Sequence, residues 1–192
     1  MDKLKRIRLL LTLFVLISFF SCESKSELIV NNLLIQIENQ KKKLDSIDLN
    51  QLELAFNAFH YNIKNINRCV DSFSLELGSA LNYYKGIKKI KPGEYAVKHH
   101  AMELKISNQI IQLEWLRKDL KMDLLPVDSI PIYITLEERN INNISMDFKR
   151  HYYDYLYVIN SHDSLDPYFK NIIAKSCNCL LYTSPSPRDK RL

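Results

Sequence analysis

LELAFNAFHYNIKNINRCVDSFSLELGSALNYYKGI, the segment from Leu52 to Ile87, decides the fold. Along it Leu52, Phe56, Phe59, Ile63, Ile66, Val70, Phe73, Leu77, Ala80, Tyr84 and Ile87 follow one another at alternating steps of four and three. A repeat of 3.5 residues held over five heptads puts these side chains on one seam of a helix. Such a seam must be buried against other helices. Lys91-Pro92-Gly93 ends the segment, because proline cannot continue the hydrogen-bond ladder and glycine suits the position after a helix.

Working outward, a first helix is expected from about Ser26. Leu28, Leu33, Leu34, Ile37 and Leu44 recur at helical spacing, and Lys41-Lys42-Lys43 falls on the solvated side. Ser46-Ile47-Asp48 breaks or bends it, and Asp48 followed by Gln51 has the spacing of a helix start. Downstream, a third helix is expected from about Glu94 to Met122. One stripe holds Val97, Ala101, Leu104, Ile111 and Trp115; a second holds Ile106, Ile110, Leu113, Leu116 and Leu120. So wide an apolar face suits an inner helix that touches two neighbours.

Asp123 to Pro131 reads as a loop, and Thr135-Leu136-Glu137-Glu138 as the capping box of a fourth helix. Ile141, Ile144, Phe148, Tyr152, Tyr155 and Ile159 give that helix its buried face. Asp166-Pro167 then opens a short last helix with Phe169, Ile172 and Ile173 inward. With only three glycines, Gly78, Gly86 and Gly93, the chain lacks the residues of phosphate loops and tight hairpins. The expected fold is all-α: an antiparallel helical bundle of about four long helices plus a short C-terminal helix. It runs up-down-up-down as one domain over residues 26–178.

Both ends stand apart from this domain. Lys3, Lys5, Arg6 and Arg8 precede the apolar run from Leu9 to Phe20, and Ser21-Cys22 follows. At 1.5 Å per residue a helix of that run reaches roughly 18 Å, short of the ~30 Å hydrocarbon core, so a removable leader fits better than a spanning helix. Phe19-Phe20-Ser21-Cys22 resembles the lipobox of bacterial lipoproteins, with Phe where Leu and Ala or Ser are commoner. The resemblance covers residues 1–22 only. It implies that residues 1–21 are a signal peptide, that Cys22 receives a diacylglycerol on its thiol, and that cleavage before Cys22 frees an amine for acylation. Residues 22–25 would then be a tether, and the protein would sit in the cell envelope, periplasmic or surface-exposed, held to a bacterial membrane by lipid on Cys22.

At the other end, Cys179 to Asp189 reads back into codons that resemble a transposase adapter used in DNA library preparation. That resemblance implies that residues 179–192 are not native and that the natural reading frame was interrupted near Asn178. Of the chain's 27 basic and 22 acidic residues, four and one lie in residues 1–21 and three and one in residues 179–192. The domain between therefore carries 20 of each, and the basic surface expected of a nucleic-acid partner is missing. Besides Cys22 and Cys179, the chain has Cys69 and Cys177, which can pair in an oxidising compartment; the sequence leaves their pairing open.

Candidate chemistry is sparse. His99 and Glu103 lie four apart on one helix face, with His100 beside them, close enough to chelate an ion; the bland alternative is a solvated histidine pair. No Glu-x-x-His of a di-iron bundle occurs. His151-Tyr152-Tyr153-Asp154-Tyr155-Leu156-Tyr157 circles a helix with four tyrosines. Tyr152 and Tyr155 suit the core, which leaves Tyr153 and Tyr157 to pack on the last helix or to offer a binding surface. Ser161-His162-Asp163 has the residue types of a catalytic triad, but consecutive residues cannot form its relay. Lys85, Lys88, Lys89 and Lys91 form a basic end to the second helix, where cations favour the dipole. No enzymatic activity and no cofactor is expected. The reading is a membrane-anchored envelope lipoprotein whose bundle is a binding or structural module with a protein partner in the envelope. The alternative is a small-ligand or metal-binding bundle using His99, His100 and Glu103 or the tyrosines.

Overall fold

The fold is given by a computed structural model that describes residues 24–182, with side chains as far as Cys177. Residues 1–23, including the leader and Cys22, and residues 183–192 lie outside the described residues. Five α-helices and no strand occur among the described residues: α1 (Lys25–Asp45), α2 (Leu49–Cys69), α3 (Leu75–Tyr84), α4 (Pro92–Lys121) and α5 (Ile130–Tyr182). The protein is an all-α helical bundle, as the periodicity predicts.

Local chemistry sets most of the helix starts. Ser24 accepts from the Glu27 amide at 3.2 Å and caps α1. Asp48 accepts from the amides of Asn50 at 2.9 Å and Gln51 at 3.1 Å and caps α2. Side-chain oxygens at these positions satisfy amides that have no carbonyl partner inside the helix, an effect worth about 1 kcal/mol each. At the joint between α1 and α2, the Ser46 hydroxyl donates to the Lys43 carbonyl at 2.7 Å and Ile47 is buried.

The joint does not reverse the chain. Gln40 meets Ser145 at 2.6 Å, Gln51 meets Tyr155 at 3.1 Å, and Asn62 meets Asp166 at 2.8 Å. Finally Cys69 is disulfide-bonded to Cys177. Partners rise together at separations of 104 to 108 residues, so α1 and α2 form one broken rod running parallel to α5. Against α5, α4 runs the other way: Tyr95 reaches His151, Lys105 reaches Asp147, and Gln109 reaches Glu137. The course is up, down, up in three rods, not the expected up-down-up-down, because a three-residue link with one buried residue bends the first rod without turning it back.

The seam of Leu52 to Ile87 is broken as well. Leu52, Phe59 and Ile66 are buried on α2, and Leu77, Tyr84 and Ile87 beyond it, but Phe73 is exposed. Asp71 to Ser74 supplies polar residues that favour a helix break, and Ser74 caps α3 by accepting from the Leu77 amide at 3.1 Å. A 3-10 turn, Lys85–Lys89, then carries the chain towards α4. Here Gly86 lies directly under Tyr157, whose hydroxyl and ring leave no room for a Cβ on residue 86.

Only one of the two stripes expected on α4 faces the core. Ile106, Leu113, Leu116 and Leu120 are buried, whereas Val97, Ala101, Leu104, Ile111 and Trp115 are exposed on the opposite side. The wide apolar face is therefore two faces back to back, and α4 is not an inner helix. It ends with Asp123 in the left-handed region (φ 51°), where the Leu124 amide bonds the Asp119 carbonyl at 3.0 Å and the Asp123 amide the Leu120 carbonyl at 3.2 Å. This pair of bonds is the Schellman closure, with aspartate in place of the usual glycine.

The last helix differs most from expectation. It begins at Ile130 rather than at Thr135, with Pro131 in the first turn where the missing amide costs nothing. Thr135 donates to the Pro131 carbonyl at 2.8 Å inside the helix instead of capping its start, and Glu137 is buried. Ser161-His162-Asp163, expected as a loop, is helical, and Asp166-Pro167 starts no separate helix. Proline inside a helix costs about 3 kcal/mol. Packing offsets that cost here: Phe169 is fully buried against Tyr84 at 4.8 Å between ring centroids, and Ile173 is buried one turn on. Ile141, Ile144, Phe148 and Tyr155 form the expected buried face.

Candidate functional site

A cluster of buried polar side chains lies where α4 and the middle of α5 cross. Tyr95 and His99 stand one turn apart on α4, and both are buried. Against them α5 sets His151, also buried, whose ring stacks on Tyr95 with centroids 4.0 Å apart. The Tyr95 hydroxyl donates to the His151 carbonyl at 2.9 Å, and His99 Nδ1 lies 3.3 Å from His151 Nε2. One ring must donate its N–H to the other, so the two imidazoles share a single hydrogen bond.

From this pair the contacts lead outward. His99 Nε2 lies 3.7 Å from Glu103, and the exposed His100 lies 3.3 Å from the other Glu103 oxygen. The expected trio of His99, His100 and Glu103 is therefore brought together, but as a chain. The two His99 nitrogens point in different directions, one to His151 and one to Glu103, which His100 also faces. No group of three or more His, Cys, Asp or Glu able to hold a metal occurs among the described residues.

Beside the histidines a cleft of about 320 Å³ opens to solvent, walled by Lys98, Met102 and Lys105 of α4 and by Asp147, Arg150 and Asp154 of α5. Lys105 donates to Asp147 at 2.8 Å, which holds that carboxyl below its usual range. Burial pushes the Asp154 carboxyl up, partly countered by Lys98 and Arg150. Burial, with His99 and Lys98 adding to it, pushes His151 down to about 4, and burial raises the Tyr95 phenol. His151 is thus neutral across the physiological range. A cleft with three cations, one tied carboxylate and one partly desolvated carboxyl can take a small polar or zwitterionic molecule.

The depressed His151 value makes a stability prediction. Unfolded histidine titrates near 6.5, so between about pH 6.5 and pH 4 the unfolded chain binds a proton that the native chain refuses. Stability therefore falls as pH drops through that window, by up to about 3 kcal/mol. Urea denaturation at pH 7 and pH 4.5 should show a loss in the wild type that is smaller in His151→Gln. Equal losses in the two proteins would sink the assignment to His151.

The two candidate tyrosines part company. Tyr153 is exposed and edges a second cleft, about 330 Å³, with Gln36, Gln40, Lys43, Phe148 and Lys149. Tyr157 is turned inward on the 3-10 turn: its hydroxyl donates to the Tyr83 carbonyl and its ring meets Tyr83 edge-on at 5.3 Å. Other buried polar groups serve as crossbraces. Glu137 accepts from Gln109 and from Gln112 (2.6 Å), and Asn62 donates to Asp166 at 2.8 Å.

The sequence reading misses His151, Glu137 and Asn62. His151 heads the quoted tyrosine run, but nothing in one dimension says that a residue 52 positions from His99 will touch it. A histidine on the same helical stripe as Phe148 and Tyr155 is the available signal. Comparison of the chain with protein-family models, with curated proteins and with solved structures finds no match.

Proposed function

We propose that the protein is a lipid-anchored lipoprotein of a bacterial envelope, and that its helical bundle is a binding or structural module rather than an enzyme. The observation that carries the reading is Cys22, placed after a basic n-region and a 12-residue apolar run too short to span a bilayer. The Cys69–Cys177 disulfide supports it, since such bonds persist in oxidising compartments such as the periplasm. No helix among the described residues is long and apolar enough to cross a membrane, which is in keeping with attachment by lipid. Cells fed labelled palmitate should incorporate it into the protein, and Cys22→Ala should abolish the label. Equal labelling of the variant would overturn the anchor.

A second reading, a small-ligand or metal-binding bundle, is favoured by the cleft beside His151. Elemental analysis of the purified protein separates its metal form from the first reading. We expect no stoichiometric metal, because His99 Nδ1 is turned to His151 and leaves only Nε2 facing Glu103. A bound ion lost in His99→Ala would reverse that conclusion.

A further inference from the structure

We propose that the end of the bundle at the α4–α5 turn docks on the same lipid bilayer that carries the Cys22 anchor, inserting exposed apolar side chains at headgroup depth. The inference rests on the anchor reading above.

The geometry begins with the parallel register of α1 and α5. Gln36 and Gln40 both meet Ser145. Stepping back 12 and 16 residues to Ser24, at equal rise on both helices, brings Ser24 level with about residues 129–133. The start of α1, the end of α4, residues 122–129 and the start of α5 therefore share one end of the rod. Only Glu23 separates Cys22 from Ser24, and two peptide steps reach at most about 7 Å. On the anchor reading, a lipid on Cys22 is tethered to Ser24, and so to this end, within that reach.

The surface there is unusually apolar. Trp115 (67%), Met122, Leu124, Val127 (81%), Ile132 and Leu136 are all exposed. Trp115 lies six residues before the last residue of α4, and Leu136 six after the first of α5, so all six fall within about 9 Å of the end. Interfacial segments bury their apolar faces about 5–10 Å into the headgroup boundary, which matches that depth. Trp115 and Met122 line one cleft and Ile132 and Leu136 another, so these side chains lie in groups, as at interaction sites, and not singly.

The choice of lipid over a protein occupant comes from the anchor's position, which holds this end against a bilayer. Charge adds a constraint on which lipid. Within residues 115–136, Arg117, Lys118 and Lys121 are matched by Asp119, Asp123 and Asp128, so neither sign dominates. Docking must then rest on apolar contact and should hold on neutral phosphatidylcholine and at high salt.

Trp115 is the chain's only tryptophan and reports directly. The mature lipidated protein is reconstituted into phosphatidylcholine vesicles, with and without brominated acyl chains. The expected result is loss of Trp115 fluorescence with the brominated lipid and shielding from aqueous iodide. Leu124→Asp combined with Val127→Asp, both in the exposed turn, should restore iodide quenching while the protein still floats with the vesicles. A wild type that floats but remains open to iodide overturns the docking and leaves the anchor standing. A double variant that stays shielded also overturns it, as does shielding that needs added envelope proteins. A wild type that fails to float removes the anchor reading, and the docking with it.

Discussion

Replacing both Cys69 and Cys177 with serine lowers the free energy of unfolding by about 4–5 kcal/mol, the largest effect expected of any simple change to this protein. The bond closes a loop of sequence separation 108. In the chain-entropy account, a cross-link over about 100 residues removes close to 4.7 kcal/mol of freedom from the unfolded ensemble. The bond also fastens the last residue of α2 to α5 eleven residues beyond the Asn62–Asp166 contact. Without it, that end of the parallel pair keeps only side-chain packing. Urea denaturation of oxidised wild type against the double variant measures the effect. Limited proteolysis should cut first within the last turns of α5. A change under about 1 kcal/mol would mean that the thiols are not joined in solution. Substituting both cysteines avoids the stray thiol that a single variant would leave.

Phe169→Ala comes next, at about 4 kcal/mol. The side chain is fully buried, facing Tyr84 at 4.8 Å and Tyr168 at 5.4 Å between centroids. Truncation leaves a cavity that neighbours fixed by the Asn62–Asp166 and Asn62–Tyr84 hydrogen bonds cannot easily fill. Burial already holds the Tyr84 phenol up at about 12, a sign of how little water reaches this layer. Because Phe169 follows Pro167 by two residues, the measurement also tests whether α5 carries its core past the proline. A loss below about 1 kcal/mol, with unchanged cooperativity, would place residues beyond 167 outside the folded unit.

Periodicity and caps made much of this fold legible. Asp48 lies where a helix start is written locally, whereas the cap at Ser24 falls inside the expected tether; both α1 and α4 fall within two residues of their expected bounds. The failures have physical causes. The seam from Leu52 to Ile87 stays in phase across the break at Asp71 to Ser74, so a pattern of apolar spacing cannot see the break. On α4 periodicity finds two stripes, but which one meets the core depends on partners distant in the chain. In α5 the turn-forming types around Ser161-His162-Asp163 and Asp166-Pro167 suggest a loop; Phe169, Ile173 and the disulfide override that local preference. Of the candidate site, His99, His100 and Glu103 were readable from spacing. His151, the residue that turns His99 inward, was not.

The pairing of Cys69 with Cys177 also sets how the molecule would bear a pull between its two ends. Tension entering at Ser24 passes along α1, through the Ser46–Asp48 joint and along α2, then crosses the sulfur bridge straight into the end of α5. The residues between the two cysteines, which include α3, α4 and most of α5, lie on a slack branch of that covalent path. Under load α1 and α2 would be the strained members. The cleft beside His151 would be shielded from extension for as long as the bridge stays oxidised.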